Sequence, residues 1–94
     1  MSSPQKPPLP EGLVAFVKRD CPTCETVAPV LADLAGRTRL TVYTQDDPSF
    51  PEGVDPQDDT SLRLSWHYEI EAVPTLMRIE NGREQARIVG WQRE

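Results

Sequence analysis

Residues 13–35 read LVAFVKRDCPTCETVAPVLADLA, and the order of three features within them decides the fold. Leu13 to Val17 is an unbroken apolar run rich in strand formers, as expected of a strand buried on both faces. Charged Lys18, Arg19 and Asp20 then carry the chain to the surface. From Pro22 onward, Val27, Val30, Leu31, Leu34 and Ala35 recur at spacings of three and four. An amphipathic helix is therefore predicted to about Ala35, with Gly36 as its stop. Pro29 lies inside that helix and is expected to bend it rather than break it. Cys21 and Cys24 straddle the helix start.

Downstream, Leu40, Val42 and Tyr43 within RLTVYT predict a second inner strand, reached by a crossover of the length a βαβ unit needs. Residues 45–60 carry Asp46, Asp47, Asp55, Asp58 and Asp59 with Pro48, Pro51 and Pro56, and read as an exposed, solvated loop. Ser61 to Tyr68 predicts a short helix that sets Leu62, Leu64 or Trp66 against the sheet. A strand entered through Val73-Pro74-Thr75 runs over Leu76 to Glu80. Asn81-Gly82 is a two-residue hairpin signal, and Ala86 to Val89 is the return strand. Met77 is expected in the core. The sum is an α/β domain with a four-stranded mixed sheet and flanking helices.

Ninety-four residues make one small domain with a modest core. Four of the ten prolines fall in the first ten residues, so residues 1–12 read as an extended, flexible leader and 13–94 as the domain. That leader has no continuous apolar stretch, which argues against a signal peptide or a membrane span, and a cytoplasmic location is expected. The formal net charge of -5 and the lack of a dense Lys/Arg stripe disfavour nucleic-acid binding.

The chain has two cysteines, and a bridge across so short a loop would constrain the unfolded chain little, so the pair points to chemistry. A cysteine at a helix start meets unsatisfied N–H groups and the positive end of the helix dipole, both of which favour thiolate. Cys21 holds that position. Two intervening residues bring Cys24 round the first turn, within reach of a mixed disulfide on Cys21, and Pro22 pre-sets a helical dihedral where its missing N–H costs nothing. Other readings stay open. The two residues can be packed thiols or a structural bridge, and CxxC also occurs in zinc sites, although His67 is the one histidine available for such a site. His67 is expected to be a helix-surface or packed residue, and Trp66 and Trp91 are expected to be packing residues.

Taken together, Cys21-Pro22-Thr23-Cys24 after an apolar strand, Pro29, Val73-Pro74-Thr75 before a strand, and Asn81-Gly82 leading to Val89-Gly90 resemble the thioredoxin family over roughly Leu13 to Gly90. The resemblance implies a thioredoxin-like fold. It makes Cys21 the nucleophile, Cys24 the resolving cysteine and Pro74 a cis-proline facing the pair, with Thr75 opening the central strand. Val73, Pro74, Pro22 and Thr23 would form the substrate-binding surface. It further implies a protein-disulfide oxidoreductase that acts mainly as a reductant, needs no organic cofactor or metal, takes protein or small-molecule disulfides, and is served by an external reductant. The alternative is a binding or redox-regulatory module without efficient turnover.

Departures from the family pattern sharpen that alternative. The residue before Cys21 is Asp20 where the family has tryptophan, and Pro22-Thr23 stands for glycine-proline. Ala15 occupies the place of the family's buried aspartate, and Tyr43 that of its lysine partner, so the proton of Cys24 must go to water, to Glu25 or to the substrate. The family's final helix has no counterpart before Glu94. An uncovered apolar sheet face is therefore expected, to be covered by a further C-terminal segment or a second copy, with Trp91 at its edge.

Overall fold

A computed structural model describes residues 7–90. The elements along the chain are β1 (Gly12–Val17), α1 (Pro22–Ala35), β2 (Leu40–Thr44), β3 (Gln57–Asp58), α2 (Arg63–His67), β4 (Thr75–Glu80) and β5 (Arg83–Val89). They form one mixed sheet in the order β3-β2-β1-β4-β5, so β1 rather than β4 is the middle strand. The expected four strands are joined by a fifth, the two-residue β3, which runs parallel to β2 from within the stretch read as a loop.

Alternation along β1 explains the two cores. Ala15 and Val17 face one side with Cys24, Val27, Leu31, Val42 and Phe50. Val14 and Phe16 face the other with Leu9, Met77 and Ile79. Side chains at alternate positions of a strand point to opposite faces, so a continuous apolar run supplies both layers. Helix α1 covers the first face through Cys24, Val27 and Leu31, which lie on one stripe. Pro29 lies on its exposed side, and the helix runs through it unbroken.

The second face is closed by less regular pieces. Leu64 of α2 packs there with Tyr68 and Ile70, whereas Trp66 is 78% exposed and meets His67 edge-on. Of the three side chains predicted to meet the sheet, Leu64 does so, because its neighbours Leu62 and Trp66 turn outward on a helix of barely more than one turn. Leu9, assigned to the leader on sequence, is buried in this cluster, and the Tyr68 hydroxyl donates to the Pro7 carbonyl. Residues 1–6 of that leader and Trp91 lie outside the described residues.

The loop expected to be solvated contributes to the first core layer and to the start of α2. Phe50 and Pro51 are buried, and Asp59 is 2% exposed. Its carboxylate accepts the Leu64 and Ser65 N–H groups, each at 2.9 Å, and the Ser65 hydroxyl at 2.6 Å, satisfying the bare donors at the start of α2. The Asn81-Gly82 hairpin forms as read, both residues adopting positive φ (56° and 74°) as a tight two-residue turn requires. The return strand starts earlier than expected, at Arg83, and accommodates one extra residue in a bulge opposite Arg78 and Ile79. Beside α1, Val30 and Ile88 remain exposed along a narrow apolar groove.

Candidate redox site

Parallel pairing of β1 with β2 and antiparallel pairing of β1 with β4 bring three chain segments to one end of the sheet. These are the β1–α1 turn, the residues after β2 and the residues before β4. Cys21 sits in the first, in an extended conformation (φ -161°, ψ 106°) that makes it the N-cap of α1. Its Sγ accepts the Cys24 N–H at 3.2 Å, the role a Ser or Asp oxygen usually fills at a helix start. It also lies 3.6 Å from the Val73 carbonyl oxygen, to which the thiol donates.

The two thiols differ in environment. Cys21 is half-buried at the edge of a groove also lined by Lys18, Pro22, Glu71 and Val73, while Cys24 is fully buried beneath it. Burial first, and then the hydrogen bond with Cys21, push the Cys24 thiol up to about 12; Lys18, through its backbone and its charge, acts in the opposite direction. At neutral pH Cys24 therefore holds its proton. Tyr43, expected in the place of a lysine partner, stacks on Phe16 at 5.2 Å between ring centroids, in the cluster on the other face from Cys24. Glu25 is exposed in the first turn of α1.

Of the residues predicted to form the site, Cys21, Cys24, Pro22 and Val73 converge. The Val73-Pro74 bond is cis, and Pro74 is buried behind Val73. Thr23 is exposed in the first helical turn, outside the lining of the groove. Sequence reasoning missed Ile70 to Ala72 as wall residues, and it missed Asp46. The Asp46 carboxylate accepts the Arg19 N–H at 2.7 Å and the Asp20 N–H at 3.0 Å, the two residues before Cys21. A usable signal existed, since the C-terminal ends of two adjacent parallel strands lie side by side and Asp46 follows the second of them. Among the described residues no group of three or more His, Cys, Asp or Glu side chains is gathered as metal ligands require. No helix among them is long and apolar enough to cross a membrane.

A helix-capping cysteine with a buried second thiol one turn on, beside a cis-proline, agrees with what comparisons with other proteins find. The family described as TraF, F plasmid transfer operon protein, matches residues 10–91. The chain belongs to this family. It is thioredoxin-like in sequence and fold. Thioredoxin H-type 1 of Nicotiana tabacum is 29% identical over 82 residues, which are 87% of this chain and 57% of that protein. The chain thus spans little more than half the length of this curated relative. Two solved structures share the fold. The reduced thioredoxin pre-protein of Schistosoma mansoni has a TM-score of 0.60 at 24% identity, covering 85% of this chain and 68% of its own. Thioredoxin of Malassezia sympodialis has a TM-score of 0.55 at 20% identity, covering 83% and 61% respectively.

Proposed function

We propose that this member of the TraF family is a thiol-disulfide oxidoreductase that reduces protein disulfides through Cys21 and Cys24. The observation that carries the reading is the asymmetry of the pair: Cys21 is accessible and receives an N–H bond at the helix start, whereas Cys24 is buried and protonated. The Cys21 thiolate attacks one sulfur of a substrate disulfide, forming a bond to it and expelling the other sulfur as a thiolate. Cys24 then attacks the Cys21 sulfur, closing the Cys21–Cys24 bridge and releasing the second substrate sulfur. The substrate gains two electrons and the pair loses two, which an external dithiol reductant restores. The cytoplasm, where thiols are kept reduced, suits this direction.

An extended substrate would lie along Val73 and Pro74 and bond the Val73 backbone, with Pro22 on the opposite wall. The charges bearing on Cys24 are those of Cys21 and Lys18, so the departing substrate thiolate is the acceptor for its proton. The resolving step should accordingly quicken as pH rises, since burial favours the protonated Cys24 thiol.

The test is equilibration with a defined dithiol buffer, read by mass after alkylation. A potential near ~-270 mV marks a reductant and one near ~-120 mV an oxidant. Cys21→Ser should abolish exchange, and Cys24→Ser should accumulate mixed disulfides. A folded protein whose thiols never exchange would instead make the chain a redox-regulatory or binding module, the reading favoured by the absence, among the described residues, of a carboxylate acting on the buried Cys24 thiol.

A further inference from the structure

Arg19 and Asp20 have no secondary structure of their own, yet both their backbone N–H groups are held by one side chain from the segment after β2. One oxygen of Asp46 takes the Arg19 N–H at 2.7 Å and the other takes the Asp20 N–H at 3.0 Å. The neighbouring side chains reinforce this clasp. The Arg19 guanidinium pairs with Asp47 and lies over the Phe50 ring, 5.2 Å from its centroid, and Phe50 is itself buried in the cluster that contains Cys24. The Asp46 carboxylate is held below its ordinary range: its burial opposes ionisation, but the N–H donors of Arg19, Asp20 and Asp47 outweigh that. The chain enters Cys21 from a fixed direction, and that direction sets the Sγ at 3.2 Å from the Cys24 N–H.

We infer that Asp46 is a positioning residue for the attacking sulfur, locking the turn before Cys21 so that its Sγ is held against the bare N–H groups at the start of α1. The inference rests on Cys21 being the attacking thiol. Asp46 touches neither sulfur, and it acts through the backbone of Arg19 and Asp20. The charged groups around Cys21 are Lys18, Asp20 and Glu71 on the groove walls, with Arg19 and Asp47 paired to each other behind them. Asp46 is thus one of several negative charges nearby, and its effect as a charge and its effect as a clasp have opposite signs. A lone negative charge disfavours the thiolate, whereas a clasp that presents N–H donors favours it.

The opposite signs make the test decisive. In the Cys24→Ser background, where Cys21 is the sole thiol, its alkylation by iodoacetamide is followed from about pH 5 to about pH 10, bracketing an ordinary thiol. Asp46→Ala should slow the reaction about tenfold near neutral pH, the scale of one hydrogen bond to a charged group, with the deficit closing at the alkaline end. Asp46→Asn, which keeps one of the two acceptor oxygens, should be slowed less than Ala or equally. Asp58→Ala, whose carboxylate caps the Thr60 N–H instead, should match the parent. Simple loosening would expose Cys21 further and speed alkylation at every pH. Unchanged or faster reaction in Asp46→Ala overturns the inference, and if that variant fails to fold, the same outcome in Asp46→Asn overturns it. A flat Asp46 series in a protein that exchanges disulfides removes the clasp alone. A graded series in a protein that never exchanges them removes the oxidoreductase reading alone.

Discussion

The connection between β2 and α2 and the strand β5 reverse the usual relation between regular structure and burial. The first, residues 45–62, is acidic, proline-rich and mostly irregular, yet it buries Phe50, Pro51 and Asp59. The second is a seven-residue strand paired to β4 at every position but the bulged Gln85, and it has no buried residue. A loop whose polar groups are satisfied internally can be part of the core, because what burial penalises is an unpaired donor or acceptor rather than irregular backbone. A strand needs only its neighbour's hydrogen bonds, and β5 has those. The difference predicts that substitutions in the loop cost more than equivalent substitutions in the strand.

Phe50→Ala should have the largest effect. The ring packs in the cluster with Val27, Leu31 and Cys24, and its removal leaves a cavity expected to cost about 3–5 kcal/mol. That is a large share of the roughly 5–15 kcal/mol typical of a domain's total stability. Urea unfolding followed by far-UV circular dichroism measures it, and a cost below about 1 kcal/mol would mean the loop is not part of the core. Asp59→Ala should follow at about 2–3 kcal/mol, since it strands the N–H groups of Leu64 and Ser65 and the Ser65 hydroxyl in a buried place. The same denaturation experiment on Asp58→Ala, an exposed neighbour with one backbone bond, should give a much smaller change.

The sequence was legible where one signal dominated. The apolar run Leu13 to Val17, the three-and-four spacing from Val27 to Ala35, and Asn81-Gly82 each describe a structure that local physics enforces. The motif CPTC could be placed because a helix start is itself readable; the resemblance had Pro74 facing the pair and the Val73 backbone free for a substrate, whereas the Cys21 thiol itself donates to the Val73 carbonyl. Residues 45–60 misled because five aspartates read as solvation, whereas two of them, Asp46 and Asp59, have both carboxylate oxygens engaged by backbone N–H groups far along the chain or at the start of a helix. Composition counts charges but does not say which N–H groups will meet them. Leu9 misled for the same reason in reverse, as a lone apolar residue among prolines gives no periodicity, and its burial depends on the space left between Met77 and Ile79.

In β5 the comparison predicts tolerance. Ile88 is 61% exposed beside Leu76, and Ile88→Thr keeps the β-branched shape a strand favours, so stability should change by no more than about 0.5 kcal/mol. A loss near that of Phe50→Ala, measured by the same unfolding curves, would show that this face is covered in solution, and a concentration-dependent loss would make the cover a second copy.

The smallest effect belongs to the loop's surface, at Asp47. The Ser49 hydroxyl first, then the Ser49 N–H and Arg19, hold the Asp47 carboxyl down to about 2, below the ordinary carboxylate range. A group whose folded value is depressed stabilises the fold above its unfolded value, and loses that contribution as pH falls through the folded one. The contribution of Asp47 should thus be complete above about pH 4 and vanish toward about pH 2. Because the carboxylate is solvent-exposed, screening keeps the effect small and salt-sensitive. Unfolding midpoints of the native chain and of Asp47→Asn should differ slightly at neutral pH and converge across that acid window. A difference that persists unchanged to about pH 2 would mean that the contribution of this residue does not come from the ionised carboxylate.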